Sequence, residues 1–116
     1  MGADVVHVVY GLRWEWADEA LHANAELLEA LEAGEDARQT SAESAGLDHW
    51  WGRVTDGGAC FLLVGRIVGQ LGYEHNVSVR VSAQALDDLQ ADVHRRLVAA
   101  GLDGEPALHL QAEFQY

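Results

Sequence analysis

The chain has 116 residues, of which 49% are hydrophobic, so it is long enough to bury a core of its own as a single domain spanning 1–116. The chain has 19 aspartates and glutamates and seven arginines but no lysine, which gives a net charge of −12 with histidine neutral. This balance excludes proteins whose main partner is nucleic acid, because such binding depends on cationic contacts to phosphate.

Cysteine content argues against a protein held by internal disulfides or a thiolate metal cluster, and hydropathy argues against a membrane-spanning protein. The single cysteine, Cys60, cannot form a disulfide or a thiolate metal cluster within one chain. The first residues lack the charged and apolar regions of a signal peptide, and the longest apolar run, 59–64, is too short to span a bilayer. We therefore expect a cytoplasmic protein that does not act on membranes.

Residues 5–16 alternate strictly and predict a long first strand. One side of that strand carries Val6, Val8, Tyr10, Leu12, Trp14 and Trp16, and the other carries Val5, His7, Val9, Gly11, Arg13 and Glu15. A helix is expected next, over about 18–33, with Asp18 as its N-cap and Gly34 as its stop. Its leucines form the apolar stripe that packs on the sheet.

Another flank of this predicted helix is acidic. Its members recur at helical spacing with no arginine among them: Glu19, His22, Glu26, Glu29, Glu32 and Asp36. Like charges three or four residues apart destabilise a helix by roughly 0.2 to 0.5 kcal/mol per pair. The ridge is interpreted either as a solvated face in a proteome poor in lysine or as a recognition surface for a cationic partner.

The middle of the chain predicts a loop and a hairpin. Residues 35–48 are polar and lack periodicity, which is typical of a mobile loop. Two strands follow, over 49–55 and 59–71, and the Asp56-Gly57 pair between them favours a tight antiparallel turn. In the second of these strands Cys60, Leu62, Val64, Arg66 and Val68 are expected on one side, and Phe61, Leu63 and Ile67 on the other.

The last third predicts a strand at 77–81, a helix at 82–100 capped by Ser82 and stopped by Gly101, and a final strand at 108–116. The whole chain is then β-α-β-β-β-α-β. We predict an α+β two-layer sandwich, with an antiparallel sheet of about five strands and two helices on one face. The order resembles that of ferredoxin-like folds with an extra strand, and this resemblance in topology implies no function.

The face of the sheet away from the helices is predicted to be both apolar and cationic. Arg13, Arg53, Arg66 and Arg80 fall on strands opposite the assigned core residues, beside Leu62, Val64 and Val68. Such a face is expected to bind a ligand or to form a homodimer. Its members as predicted are His7, Arg13, Trp51, Arg53, Arg66 and His109.

The residue pattern gives little support for a catalytic function. His7, His49 and His109 would suit zinc if they converged, but no two histidines have a local metal-binding spacing, and we expect neither a metal nor another cofactor. Cys60 beside a histidine would make a nucleophile, although an inert buried thiol is commoner on an apolar strand. No catalytic residue is assigned.

Two functions of different classes follow. The first is a small non-enzymatic binding protein that blocks a basic protein surface, as anti-CRISPR, anti-restriction and immunity proteins do, and its partner-binding residues are Glu19, Glu26, Glu29, Glu32 and Asp36. The second is a homodimer that encloses a small ligand, as a binding protein or an enzyme, with the Arg/His/Trp-lined sheet face.

Overall fold

A computed structural model describes residues 4–53, 58–72 and 74–113. The described residues form an α+β structure with one sheet and four helices. The strands are β1 (Val5–Ala17), β2 (Asp48–Arg53), β3 (Ala59–Gly72) and β4 (Ala107–Glu113), and the helices are α1 (Asp18–His22), α2 (Ala25–Ala33), α3 (Ala37–Ser44) and α4 (Ala83–Ala100).

The sheet is antiparallel and has the order β2-β3-β1-β4. Its two long central strands pair along their whole length, from Val5 opposite Gly72 to Ala17 opposite Ala59. The short strands β2 and β4 form the edges and meet opposite ends of this central pair. Four strands are therefore found in the described residues where five were predicted, and the ferredoxin-like order with an extra strand is not confirmed.

The main core lies between one face of the sheet and the helices. Tyr10 and Leu12 of β1 and Leu62 and Val64 of β3 are buried there. Each helix adds apolar side chains to the same cluster: Leu21 from α1, Leu31 from α2, Ala42 from α3, and Val93 and Leu97 from α4. The predicted apolar side of β1 thus does face the helices.

A bulge in β3 changes the faces that were predicted for that strand. Val8 pairs with Gly69 but Val9 pairs with Ile67, so Val68 is an extra residue. An extra residue reverses the alternation beyond it and increases the local twist. The amide of Ile67 donates a hydrogen bond of 3.1 Å to a carboxylate oxygen of Asp48, the first residue of β2.

The second face of the sheet is also closed. Val9, Phe61 and Leu63 are at most 1% exposed on it. The two edge strands approach each other across this face, since a Cβ atom added to Gly52 of β2 would lie 2.0 Å from a carboxylate oxygen of Glu113 in β4. The expectation of an open apolar sheet face was therefore wrong, because the sheet is twisted and side chains of the edge strands, Trp50 and Glu113, reach across this face.

The segment between β1 and β2 contains three helices where one helix and a loop were predicted. The first helical stretch ends at His22, and Asn24 caps the next, because its side chain accepts a hydrogen bond from the amide of Leu27. In 35–48, helix α3 begins at a capping box formed by Asp36 and Gln39. Both signals were present in the sequence, as an asparagine within an apolar stripe and an Asp-x-x-Gln spacing.

Other boundaries agree with the prediction or can be corrected. Helix α4 starts after the Ser82 cap and ends at Gly101, whose φ of 71° is left-handed. The strand predicted at 77–81 is wrong: these residues pair with no described strand, and an isolated bridge joins Leu71 to Asn76 just before them. The predicted hairpin residues 55–57 and the last predicted strand residues, 114–116, lie outside the described part of the chain.

Candidate functional site

Most arginines of this chain are paired with carboxylates of the chain itself. Six of the seven form an ion pair with an acidic side chain, and Arg80 forms none with a described residue. The pairs are Arg13 with Glu15 at 2.7 Å, Arg38 with Asp36 at 3.1 Å, Arg53 with Asp18 at 3.2 Å, and Arg66, Arg95 and Arg96 with Asp92 at 3.6, 2.5 and 3.0 Å. Arg53 joins β2 to α1, and Arg66 joins β3 to α4. The other pairs lie within one element or its cap.

Asp92 of α4 is the centre of the largest of these networks. The hydrogen bond from Arg96 and the charges of Arg96, Arg95 and Arg66 hold the pKa of the Asp92 carboxyl below its usual value, against some desolvation. Arg96 also donates a hydrogen bond of 2.9 Å to the carbonyl oxygen of Ala45, at the end of α3. The network thus joins α4 to β3 and to α3.

Arg38 of α3 lies between two tryptophans of β1. Its guanidinium carbon is 5.4 Å from the ring centroid of Trp14 and 5.3 Å from that of Trp16. A guanidinium at this distance from an aromatic ring is attracted by the negative face of the ring. Arg38 therefore holds α3 on the sheet, a role that sequence reasoning missed because it treated 35–48 as a loop.

The predicted partner-binding acids fall into three groups. Glu26, Glu29 and Glu32 lie three residues apart along one side of α2 and are exposed, and we call these three residues the acidic face. Glu19 is exposed on the separate helix α1. Asp36 does not belong with them, because it caps α3 and pairs with Arg38.

The acidic face is uncompensated. No basic side chain among the described residues lies within ion-pair distance of Glu26, Glu29 or Glu32. The nearby end of α2 adds to the negative potential, because the last turn of a helix carries a partial negative charge and Glu32 lies in that turn. A cation that approaches this face meets carboxylates that have no competing internal partner.

The six residues predicted to share one ligand or dimer face do not do so. His7, Arg13 and His109 lie on the closed second face, according to their strand register. Trp51, Arg53 and Arg66 lie on the helix-covered face, where Trp51 packs on the main core and Arg66 reaches Asp92 of α4. The prediction failed because it assigned Leu62 and Val64 to the wrong side of β3.

His7 is held in a polar cluster inside the closed face. It is 1% exposed, and its Nε2 lies 3.3 Å from a carboxylate oxygen of Glu113 while Nδ1 lies 3.1 Å from the side-chain nitrogen of Gln70. The ring also contacts Trp50, with 4.4 Å between ring centroids. These contacts satisfy both ring nitrogens, so His7 stabilises the curled sheet.

The three histidines of the zinc hypothesis do not converge. His7 contacts Glu113, His109 lies 3.1 Å from the carbonyl oxygen of Gly11, and His49 lies 2.8 Å from a carboxylate oxygen of Glu43 on the other face. Within the described ranges no group of three or more His, Cys, Asp or Glu side chains is placed to hold a metal ion.

Cys60 has an acidic partner instead of a basic one. The thiol is buried and lies 3.2 Å from a carboxylate oxygen of Asp18. Burial and this hydrogen bond raise the pKa of the Cys60 thiol to about 11. A thiol of that pKa is almost entirely protonated at neutral pH, so Cys60 is not an activated nucleophile.

A shallow groove of about 470 Å³ runs beside α4. It is lined by Tyr10, Gln90, Ala91, His94, Glu105 and Pro106. The hydroxyl of Tyr10 lies 2.8 Å from Nε2 of His94, and burial raises the pKa of this phenol, so it remains protonated and able to donate. The contact ties α4 to β1.

Comparisons with protein-family models, with curated proteins and with solved structures find no match to this chain. Among the described residues, no helix has the length and apolar character needed to cross a membrane.

Proposed function

We propose that this chain is a non-enzymatic cytoplasmic protein that binds a basic surface of a protein partner through the acidic face of α2. In this role it is a stoichiometric inhibitor, because occupation of the basic surface denies it to the partner's own ligand. The observation that carries the proposal is the internal use of six arginines, which leaves Glu26, Glu29 and Glu32 exposed and without an ion pair to any described residue.

The energetics of α2 support a recognition role for these residues. Glu29 has a like charge three residues away on each side, and each such pair destabilises the helix by roughly 0.2 to 0.5 kcal/mol. An arginine in place of one of these glutamates would replace the repulsion by attraction and stabilise the helix. The presence of three glutamates at this spacing is accounted for if they bind cations on a partner.

The binding of such a face has a characteristic salt dependence. Complementary charge accelerates association and is screened over about 8 Å at physiological ionic strength. We therefore expect rapid association and a strong loss of affinity when salt is raised. A partner whose site evolved to hold phosphate, such as a nucleic-acid-binding protein, has the required positive surface.

The alternative, a homodimer that encloses a small ligand with the Arg/His/Trp-lined face, has less support. Its six residues lie on two faces of the sheet, and the arginines among them are paired with carboxylates. A bound anion would have to displace those pairs. Direct binding to nucleic acid is similarly disfavoured, because Arg80 is the one arginine with no ion pair in the described part of the chain.

For the fold itself we propose a relationship in topology to the ferredoxin-like arrangement. The supporting observation is that the described elements, with α1 to α3 counted as one helical layer, follow the order β-α-β-β-α-β of a split βαβ pair. This relationship carries no function.

The proposal is tested by capture from a lysate of the source organism at 50 and at 500 mM salt. The test variant carries Glu26→Gln, Glu29→Gln and Glu32→Gln. The control variant carries Glu74→Gln, Asp87→Asn and Asp103→Asn, which are exposed acids outside α2, so both variants lose the same charge.

We expect wild type and the control to capture the same basic protein at low salt, and the test variant to lose it. Circular dichroism of both variants excludes a loss of fold as the cause. Equal capture by the two variants would contradict the proposal, since net charge and not the acidic face would then be responsible.

A further inference from the structure

Strand β4 is an edge strand without the features that usually protect one. Edge strands avoid pairing with other chains by means of lysines, prolines, bulges or short length. The seven residues of β4 include no basic residue other than His109, no proline and no irregularity in their pairing with β1. Pro106 precedes the strand and leaves it free to pair.

Exposed apolar side chains accompany this edge. Leu108 is 49% exposed and Leu110 is 63% exposed. They lie opposite Tyr10 and Val8 in the register with β1, and therefore on the helix side of the sheet. No helix of the described residues covers them there, because the helix-packed core includes residues of β1, β2 and β3 but none of β4.

The other edge of the sheet carries charged residues at both ends and packs its apolar side chains. Strand β2 begins at Asp48, whose carboxylate accepts the Ile67 amide, and ends at Arg53, which is paired with Asp18. Trp51 of β2 packs against the core. The exposed apolar edge of the described sheet is thus at β4.

We propose that β4 pairs with β4 of a second copy of this chain, antiparallel and about a two-fold axis at Leu110. This register overlaps all seven residues, and the two four-stranded sheets become one sheet of eight strands. A two-fold interface requires a surface that is complementary to itself. The sequence of β4 meets this requirement, because the residues that lie opposite each other in this register are compatible in size and charge.

In this register the two copies of Leu110 face each other, and Leu108 faces Ala112 of the partner. On the other side His109 faces Gln111, which is a pair able to form a hydrogen bond. The one acidic residue of β4, Glu113, faces Ala107, so no like charges are opposed. One face thus carries only apolar pairs and the other carries the His109–Gln111 pairs, and opposed side chains of these kinds stabilise paired strands.

The expected dimer is weak and depends on concentration and salt. Seven residues of paired strand extend about 24 Å, so the interface falls at the small end of specific contacts. Each copy also carries a net charge of −12, and the resulting repulsion is screened as ionic strength rises. Dimerisation should therefore increase with salt, whereas capture of a basic partner should decrease, so either proposal can fail without the other.

Sedimentation velocity of the full chain between 5 and 500 µM, at 50 and 500 mM salt, tests the association. Leu110→Lys places a protecting lysine at the centre of the edge and should leave the protein monomeric throughout. Val98→Lys is the matched control: Val98 is 80% exposed on α4, the charge change is the same, and its dimerisation should equal that of wild type.

A cysteine variant tests the register. Leu110→Cys places two thiols directly opposite each other and should form a disulfide-linked dimer under mild oxidation. In Leu108→Cys the two thiols are four residues apart along the strands, about 14 Å, beyond the reach of a disulfide. Buried Cys60 does not compete.

Monomeric wild type at 500 µM and 500 mM salt would overturn the proposal. Dimerisation of Leu110→Lys at the level of wild type would overturn it as well, and so would equal cross-linking of the two cysteine variants.

Discussion

Neutralisation of the C-terminal half of the acidic face should stabilise the protein. The variant Glu29→Gln/Glu32→Gln removes two repulsions three residues apart, one between Glu26 and Glu29 and one between Glu29 and Glu32, worth roughly 0.4 to 1 kcal/mol together. It also removes a negative charge from the last turn of α2, where the helix dipole disfavours it by roughly 0.3 to 1 kcal/mol. Glutamine has a helix propensity close to that of glutamate. We expect a gain of about 1 kcal/mol in the free energy of unfolding.

Urea unfolding followed by tryptophan fluorescence measures this gain, and the ionic strength identifies its cause. At 20 mM salt the variant should unfold at higher urea with an unchanged slope. At 1 M salt the difference from wild type should nearly vanish, because the charges are exposed and screened.

The single variant Glu26→Gln is the matched control. Glu26 lies in the first turn of α2, where the helix dipole favours a negative charge. Its removal therefore relieves one repulsion and loses one favourable interaction, so the stability should change little. A double variant that is no more stable than wild type at low salt, or one whose gain persists at 1 M salt, would refute the electrostatic account of α2.

Three further outcomes are expected. Iodoacetamide should modify Cys60 in the folded protein at pH 8 at least about 100-fold more slowly than in urea, because the thiol is buried and its pKa of about 11, against an ordinary 9.0, lowers the thiolate population by about that factor; modification at equal rates would contradict the burial of this thiol. Gly11→Ala should cost about 3 kcal/mol or more by chemical denaturation, since the added Cβ would lie 2.0 Å from the carbonyl oxygen of Val64 in β3, and wild-type stability would disprove this close approach. Because the pKa of Asp92 is lowered in the folded state, its contribution to stability is present above about pH 4 and is lost as pH falls through the folded pKa; unfolding curves from pH 7 to pH 2 should therefore be flatter for Asp92→Asn, and identical pH profiles would count against the arginine network.

The sequence was sufficient for those elements whose signals are local. The 12-residue alternation at 5–16 predicted β1, and the Ser82 and Gly101 caps bounded α4 to within a residue. Asn24 interrupts the apolar stripe of the helix predicted over 18–33, and its ability to cap a new helix was not used in that prediction. The alternating valines at 77–81 suggested a strand, yet a strand exists only with a neighbour, and Val77 is 96% exposed.

The candidate site was harder to predict because it depends on strand register and on contacts between residues distant in sequence, which the local sequence pattern does not contain. A single extra residue, Val68, reverses the faces of β3 beyond it, and the core side of β3 was chosen without a partner register. Whether an arginine is free or ion-paired depends on residues distant in sequence, as in the pairs of Arg53 with Asp18 and of Arg66 with Asp92. The exposed acids on α2, by contrast, follow from helical spacing alone, and Glu26, Glu29 and Glu32 were identified correctly as exposed members of one helix.

Binding through the acidic face is tested most directly with the purified partner. Its affinity is measured for the variant Glu26→Gln/Glu29→Gln/Glu32→Gln and for the charge-matched control Glu74→Gln/Asp87→Asn/Asp103→Asn. Titration calorimetry over a series of salt concentrations gives both the dissociation constant and its dependence on salt. We expect the acidic-face variant to bind at least tenfold more weakly, with a shallower salt dependence, and the control to bind like wild type. Equal affinities and equal salt dependence for the two variants would show that the acidic face is not where the partner binds.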